Sequence, residues 1–168
     1  MQKQKEPQVE YPAPKDAKPP IKTWRILFLD NAENVKKLKD ACKHAGYQVV
    51  GALTIEEAWA FLDGKDHADV IVCAPHLEQG SMFEFLQGVR ASKVHRNAKF
   101  LILSLAPGTL GARLHHSTAS AGLALGADAY VDMPVFDPHK LVALIKKLQP
   151  PVPMLQKSAT PEEKRRSE

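Results

Sequence analysis

Features that mark several common protein classes are scarce in this chain. Only two of its 168 residues are cysteines, Cys42 and Cys73, which fall in a predicted helix and at the end of a predicted strand. Two such thiols do not make a disulfide framework, so a reducing compartment is indicated. No run of about 18 apolar residues occurs, so nothing is predicted to span a membrane. The polar N-terminus lacks the apolar segment of a secretory signal. We therefore expect a cytoplasmic protein with no membrane partner.

The chain also carries only a small excess of positive charge. The formal net charge is +4, and much of the positive excess lies near the two ends. Residues 1–22 are rich in proline, lysine and glutamine, and the last residues mix basic and acidic side chains. Segments of this composition cannot bury enough apolar surface to fold. No aromatic pattern or motif of nucleic-acid binding accompanies the basic residues. The sequence thus predicts disordered tails at 1–22 and 150–168, one domain at 23–149 and no nucleic-acid partner.

Short apolar runs and helix signals alternate between the two tails. The run at 68–75 places four apolar residues between an aspartate and a small residue followed by proline. This pattern is typical of a strand buried on both faces. Similar runs occur at 24–29, 47–52, 99–104 and 129–132. Five strands that alternate with helices indicate a parallel sheet with right-handed crossovers. We expect an α/β fold, namely a flavodoxin-like doubly wound five-stranded sheet of order 2-1-3-4-5.

Some helix boundaries carry clear local signals. Thr54 and Glu57 form a capping box, and Asp137 followed by a proline predicts an N-cap and a first turn. The segment after the fourth strand lacks such a signal. Its glycines predict a long connection over 105–118, followed by a short helix over 119–125.

Four motifs give the chain a resemblance to response-regulator receiver domains. The segment 26–31 resembles their first strand and acidic pair, and 69–74 resembles their third strand, which normally ends in the phosphorylated aspartate. The segment 101–104 resembles their fourth strand, which ends in serine or threonine. Gly-Ala-Asp-Ala-Tyr-Val-Asp-Met-Pro-Val at 126–135 resembles their Gly-Ala-Asp-x-Tyr…Lys-Pro segment. The resemblance extends over about 24–149.

The resemblance implies a degenerate phosphorylation pocket. In the family, two acidic residues and the phosphoacceptor hold Mg²⁺, a lysine steadies the acyl phosphate and a hydroxyl reports it. Asp30 and Ser104 match this pattern, but Asn31, Ala74 and Met133 stand at the second acidic, phosphoacceptor and lysine positions. One carboxylate and one amide make a poor Mg²⁺ site, and the alanine has no nucleophilic oxygen. We therefore expect no catalytic residue, no metal and no cofactor.

The resemblance implies a non-enzymatic signalling adaptor in a two-component-like pathway. We expect it to act independently of phosphorylation, through contact with an unidentified signalling protein or a second copy of the chain. No output domain follows in this sequence, so output is expected through a partner. The candidate surface comprises the last two helices and the fifth strand. Its members are Leu110, Arg113, Tyr130, Val135 and Phe136.

The long connection after the fourth strand bears on the same expectation. In receivers, this loop and the following helix change on phosphorylation and carry the output face. An enlarged connection therefore favours a specialised partner surface. A neutral insertion explains the same length, because surface loops tolerate insertions at low cost.

Other functions fit parts of the sequence. A small molecule could bind in the pocket altered by Ala74 and Met133, or an unrecognised acceptor could serve a conventional phosphorelay regulator. A metal site from His76, His115 and His116 is a weaker hypothesis, since solvated loop histidines are the default. Burial as an inert thiol is the expectation for the cysteine at the end of the third strand.

Overall fold

The computed structural model describes residues 23–64, 66–106 and 108–150, and in this part of the chain five strands alternate with five helices. The strands form one parallel sheet of order β2-β1-β3-β4-β5, which confirms the predicted flavodoxin-like fold. The strands are β1 (Arg25–Leu29), β2 (Gln48–Ala52), β3 (Val70–Cys73), β4 (Lys99–Leu105) and β5 (Ala129–Met133). The helices are α1 (Ala32–His44), α2 (Ile55–Asp63), α3 (Met82–Ala91), α4 (Gly108–Ala124) and α5 (Pro138–Leu148).

The predicted tails, 1–22 and 150–168, lie outside the described residues apart from Pro150, so the domain bounds stay a prediction. Within the described residues, no helix is long and apolar enough to cross a membrane.

The central strand β3 is buried along its whole length, as its apolar run predicts. It lies between β1 and β4, where Cys73 pairs with Leu29 on one side and Ile102 on the other. Successive side chains of a strand point to opposite faces of the sheet. Each strand of this sheet therefore contributes to two separate apolar layers.

One apolar layer joins the sheet to α1 and α5, and the other joins it to α2 and α3. The first layer contains Phe28, Val72, Leu103, Leu38, Leu141 and Ile145. The second contains Leu29, Cys73, Ile102, Leu62, Phe85 and Leu86. The helix α4 lies on the second face, because its Gly122 sits against the side chain of Ile102. A Cβ atom at that glycine would collide with Ile102 Cδ1, so its small size sets how closely α4 approaches the sheet.

The prediction of a long connection over 105–118 is wrong. The helix α4 begins at Gly108 and runs for 17 residues, so most of that segment is helical. Over 113–124, the part of α4 whose burial is described, the two buried positions are Thr118 and Gly122, a small polar residue and a glycine. A helix that packs through such small residues lacks the apolar stripe by which amphipathic helices are recognised. Its glycines therefore suggested a loop.

The two caps that the sequence predicted, those of α2 and α5, are present. Glu57 N donates to Thr54 Oγ1 at 3.1 Å. The Glu57 carboxylate reaches one residue further back than a capping box requires, where it accepts from Leu53 N at 2.7 Å. Asp137 accepts from the amides of His139 and Lys140, which confirms it as the N-cap of α5.

A charged clamp holds β4 and β5 together at their amino ends. Asp128 Oδ2 accepts from Phe100 N at 2.8 Å and from an Arg90 guanidinium nitrogen at 3.1 Å. The same arginine donates to the carbonyls of Gly126 and Ala98. The aspartate of the Gly-Ala-Asp segment is therefore structural and lies at the opposite edge from the candidate site.

Candidate functional site

The candidate site lies at the carboxyl edge of the sheet, where the loops after parallel strands usually carry function. Asp30 and Ala74 each follow the last residue of a strand, β1 and β3, and Ala74 N donates to Leu29 O at 2.9 Å. Ser104 lies near the end of β4, directly beside Asp132 of β5. The sheet therefore brings the predicted positions to one edge.

Asp30 is nearly buried, with 8% of its surface exposed. Its Oδ1 accepts from Asn31 N at 2.7 Å, and its Oδ2 accepts from Asn34 Nδ2 at 3.1 Å. Burial raises the pKa of Asp30 above its ordinary value, while the two hydrogen bonds lower it. Both carboxylate oxygens thus bind to the start of α1.

Asn31 serves as the N-cap of α1. Its Oδ1 accepts from Asn34 N at 2.8 Å, which satisfies one of the free amides at the helix start. The residue at the second acidic position is therefore used in helix capping.

Ala74 and Cys73 offer no usable nucleophile at the end of β3. Ala74 is 7% exposed and carries only a methyl group. Cys73 is fully buried, and burial, followed by the nearby charge of Asp30, raises the pKa of its thiol. A thiolate is the reactive form of cysteine, so a buried thiol with a raised pKa is inert. Its location agrees with the expected structural role.

Met133 is part of the core rather than of an open pocket. It is 2% exposed and packs with Phe28, Val72 and Ile145 in the layer beneath α1 and α5. Its Sδ atom accepts from Asp137 N at 3.4 Å. The position that the resemblance assigns to a lysine is therefore occupied by an uncharged side chain that is held at the start of α5.

A polar cluster on the α4 side of the sheet surrounds Ser104. Tyr130 and Asp132 project from β5 on this side, and His115 Nδ1 of α4 lies against the Asp132 carboxylate, as an ion pair when the imidazole is protonated. The His115 ring packs edge-on against the Tyr130 ring, with centroids 4.9 Å apart. Burial and then the charge of Asp132 raise the pKa of Tyr130, and a side-chain interaction with Ser104 lowers it. The cluster ties α4 to β5.

Sequence reasoning missed three members of these two groups, Asn34, His115 and Asp132. Asn34 follows Asn31 by one helical turn, a spacing that could have suggested a cap. Asp132 falls in a strand with an apolar residue on either side, which is a visible signal for a carboxylate directed toward a neighbouring element. His115 was considered only as a possible metal ligand, because its segment was assigned to a loop.

The residues at the edge do not fit a Mg²⁺ site. At the predicted positions the edge offers a single carboxylate, Asp30, whereas Asn31 caps a helix and Ala74 has no oxygen in its side chain. Mg²⁺ requires several oxygen ligands in near-octahedral geometry. Across the described part of the chain, no group of three histidine, cysteine, aspartate or glutamate side chains is arranged to hold a metal ion. The hypothesis of a site from His76, His115 and His116 therefore gains no support from their positions.

Comparison with known proteins places this geometry among receiver domains. No family model matches the sequence, and a search of curated proteins finds no match. Similar solved structures include a response regulator receiver protein from Pseudomonas putida, 25% identical, with a TM-score of 0.63 over 74% of this chain and 97% of that one. The chemotaxis response regulator CheY4 of Vibrio cholerae is 23% identical, with a TM-score of 0.63 over 76% of this chain and 99% of that one. The fold is that of response-regulator receiver domains.

Within this receiver fold, the residues of the predicted partner surface lie on two sides of the sheet. Arg113 is exposed on α4, and Tyr130 packs on the α4 side. Phe136 packs on the opposite side, against the layer of α1 and α5. Val135, in the loop between β5 and α5, is 81% exposed. Leu110 belongs to α4, but its side chain lies outside what the structure describes.

Proposed function

We propose that this protein is a signalling adaptor of the receiver type that acts without phosphorylation. It works in the cytoplasm by contact with another signalling protein and has no enzymatic activity. The similar solved structures are response-regulator receivers, and this likeness implies a two-component signalling role. The finer claims, independence from phosphorylation and action through protein contacts, rest on the site itself.

The observation that carries the proposal is Ala74 at the end of β3. Phosphoryl transfer to a receiver requires a nucleophilic oxygen, a metal and compensating positive charge at one point. Here the oxygen is missing, Asp30 and Asn31 are engaged by α1, and Met133 is uncharged and buried. Three defects in one pocket support loss of the reaction more strongly than one substitution would.

The same packing gives no support to a small-molecule site between Ala74 and Met133. Both residues are buried, and the methionine fills the layer under α5. Nor do the described residues favour a conventional phosphorelay, because Cys73, the nearest alternative nucleophile, is buried and its thiol pKa is raised.

The polar cluster supports a surface whose conformation is set within the chain. In receiver domains, a hydroxyl group reports the phosphorylated state, and the resemblance places Ser104 at that position. In this chain the His115 ring of α4 lies against the neighbouring Asp132, so a side chain of the protein itself occupies the region next to that hydroxyl. A fixed α4–β5 arrangement is suited to a partner that binds at all times. Tyr130 of the cluster, together with the exposed Arg113 and Val135, forms the candidate contact.

Site-specific photo-cross-linking tests this function. A photoreactive residue placed at Val135 in the full chain is expected to trap one partner, with the same yield whether or not acetyl phosphate and Mg²⁺ are added. The matched control is Val94, which is 79% exposed near the opposite edge of the sheet and should trap no such partner. A yield from position 135 that rises or falls with the phosphodonor would overturn phosphorylation independence. Equal trapping from both positions would overturn the assigned surface.

A further inference from the structure

A groove runs between α1 and α5, on the face of the sheet opposite α4. Its volume is about 760 Å³, within the range of roughly 300–1,000 Å³ that is usual for ligand sites. Half-buried apolar side chains line it, among them Ala41, Phe136 and Val142. No residue of the polar cluster or of the degenerate pocket contributes to this groove.

The walls of the groove are mainly basic. Lys37 and His44 of α1 face His139 and Lys146 of α5, and all four are exposed. Asp40 is the one carboxylate among the lining residues. The two helices together carry seven lysines against two carboxylates, a formal excess of five positive charges.

The rest of the folded part has the opposite charge. Outside α1 and α5, residues 23–150 include seven lysines and arginines against eleven aspartates and glutamates. The segment 23–150 therefore has a formal charge of only +1, but its charge is unevenly distributed. Such an uneven distribution raises the local concentration of acidic partners at the α1–α5 face and speeds their association.

We propose that this groove binds an acidic amphipathic segment of a protein partner, with apolar side chains on the groove floor and carboxylates against its lysines. Amphipathic helices bind apolar grooves in this manner, through anchors spaced at one helical turn. The groove shares Phe136 with the predicted partner surface, but it lies on the opposite face of the sheet from Tyr130.

Two other anionic partners fit the groove less well. A membrane would require apolar side chains that protrude, yet the large exposed apolar residues of the described chain all lie outside α1 and α5. A nucleic acid would bring phosphates to a groove that has an apolar floor and is lined by Asp40, and Phe136, the one phenylalanine among the lining residues, is half-buried. A recessed apolar floor with a basic rim matches carboxylates that flank apolar side chains.

Fluorescence anisotropy with designed probes tests the proposal on the full chain. The first probe is a labelled amphipathic peptide with leucines on one helical face and glutamates elsewhere, and the second is the same peptide with lysine for every glutamate. A labelled single-stranded oligonucleotide and vesicles that contain phosphatidylglycerol complete the set. We expect the acidic peptide to bind with an affinity that falls as salt rises, because the contacts are partly exposed charges. We expect the basic peptide not to bind.

Amino-acid substitutions test whether the acidic peptide binds in the groove. The double change Lys37→Glu and Lys146→Glu should weaken the acidic peptide at least tenfold, and Val142→Gln should weaken it without any change of charge. The matched control, Lys93→Glu with Arg96→Glu, reverses two exposed charges outside α1 and α5 and should leave the affinity unchanged. Melting temperatures confirm that each variant is folded. Equal loss in the control, no binding of the acidic peptide, or tighter binding of the oligonucleotide or vesicles would overturn the proposal.

Discussion

The Sδ atom of Met133 accepts a hydrogen bond from Asp137 N at 3.4 Å, which holds the side chain at the start of α5 and within the core. The position that would carry a lysine in a phosphorylatable receiver is therefore part of the packing between β5 and α5. At the opposite side of the pocket, Asp30 is bound to the first turn of α1. Contacts with α1 and α5 therefore hold these two side chains of the degenerate pocket in place.

Restoring one carboxylate should not restore the chemistry. In Ala74→Asp, the new carboxylate joins Asp30 in a nearly buried place with no lysine at position 133, and like charges raise the pKa of one partner. The triple variant Asn31→Asp, Ala74→Asp and Met133→Lys should bind Mg²⁺ measurably by calorimetry, whereas the single variant should not. Ala74→Asn, which has the same shape without the charge, is the control. Equal phosphorylation rates for the single and triple variants would show that the missing acid and lysine matter less than the structure indicates.

The buried carboxylate of Asp30 should reduce stability at neutral pH. Because its folded-state pKa lies above the unfolded value of 3.8, the native state binds the proton more tightly. The free energy of unfolding therefore falls as pH rises from that value through the folded-state pKa. Asp30→Asn removes the buried charge, and Asn34 can rotate its amide to accept from the new side chain. The variant should melt above the wild type at neutral pH, with the difference shrinking toward pH 3.8. Asp63→Asn, at an exposed position, is the control, and a lower melting temperature for Asp30→Asn would refute the assignment.

The negative charge of Asp132 should have a measurable effect on the pKa of Tyr130. Since that charge disfavours the phenolate, Asp132→Asn should lower the pKa of Tyr130 toward its ordinary value of 10.0. Ultraviolet titration of the phenolate, in a background with Tyr11→Phe and Tyr47→Phe, reports this tyrosine alone. The control variant Asp63→Asn, in the same background, should leave the pKa of Tyr130 unchanged. An unchanged titration in Asp132→Asn would show that the carboxylate and the phenol are not close in solution.

The clamp at the amino edge should contribute more to stability than an exposed ion pair. Asp128→Ala removes hydrogen bonds from Phe100 N and Arg90, and charged hydrogen bonds of this kind contribute about 2 kcal/mol. Asp66→Ala removes an exposed partner of Arg25, for which a loss below about 1 kcal/mol is expected. Urea denaturation of both variants measures the difference. Similar losses would mean that the clamp is no stronger than a surface contact.

Local sequence patterns predicted the features of the fold that depend on residues close together in the sequence. The fully apolar run of β3 and the cap at Asp137 each depend on neighbours in sequence, and both were predicted. The helix α4 was missed because it packs through Thr118 and Gly122, which carry little apolar surface. The pairing of His115 with Asp132 joins residues from different elements, and no local pattern records a contact that only the folded sheet creates. The residue types at the pocket positions, such as Ala74, could be read from the sequence, but the burial of Met133 could not.

Whether this protein accepts a phosphoryl group is measured by intact mass spectrometry of the full chain after incubation with acetyl phosphate and Mg²⁺. A conventional receiver domain treated in parallel shows that the phosphodonor is active. Because Ala74 supplies no oxygen nucleophile and the remaining residues do not fit Mg²⁺, we expect the mass of this protein to stay unchanged while the conventional receiver gains a phosphoryl group. Stoichiometric addition of one phosphoryl group to this chain would contradict this expectation.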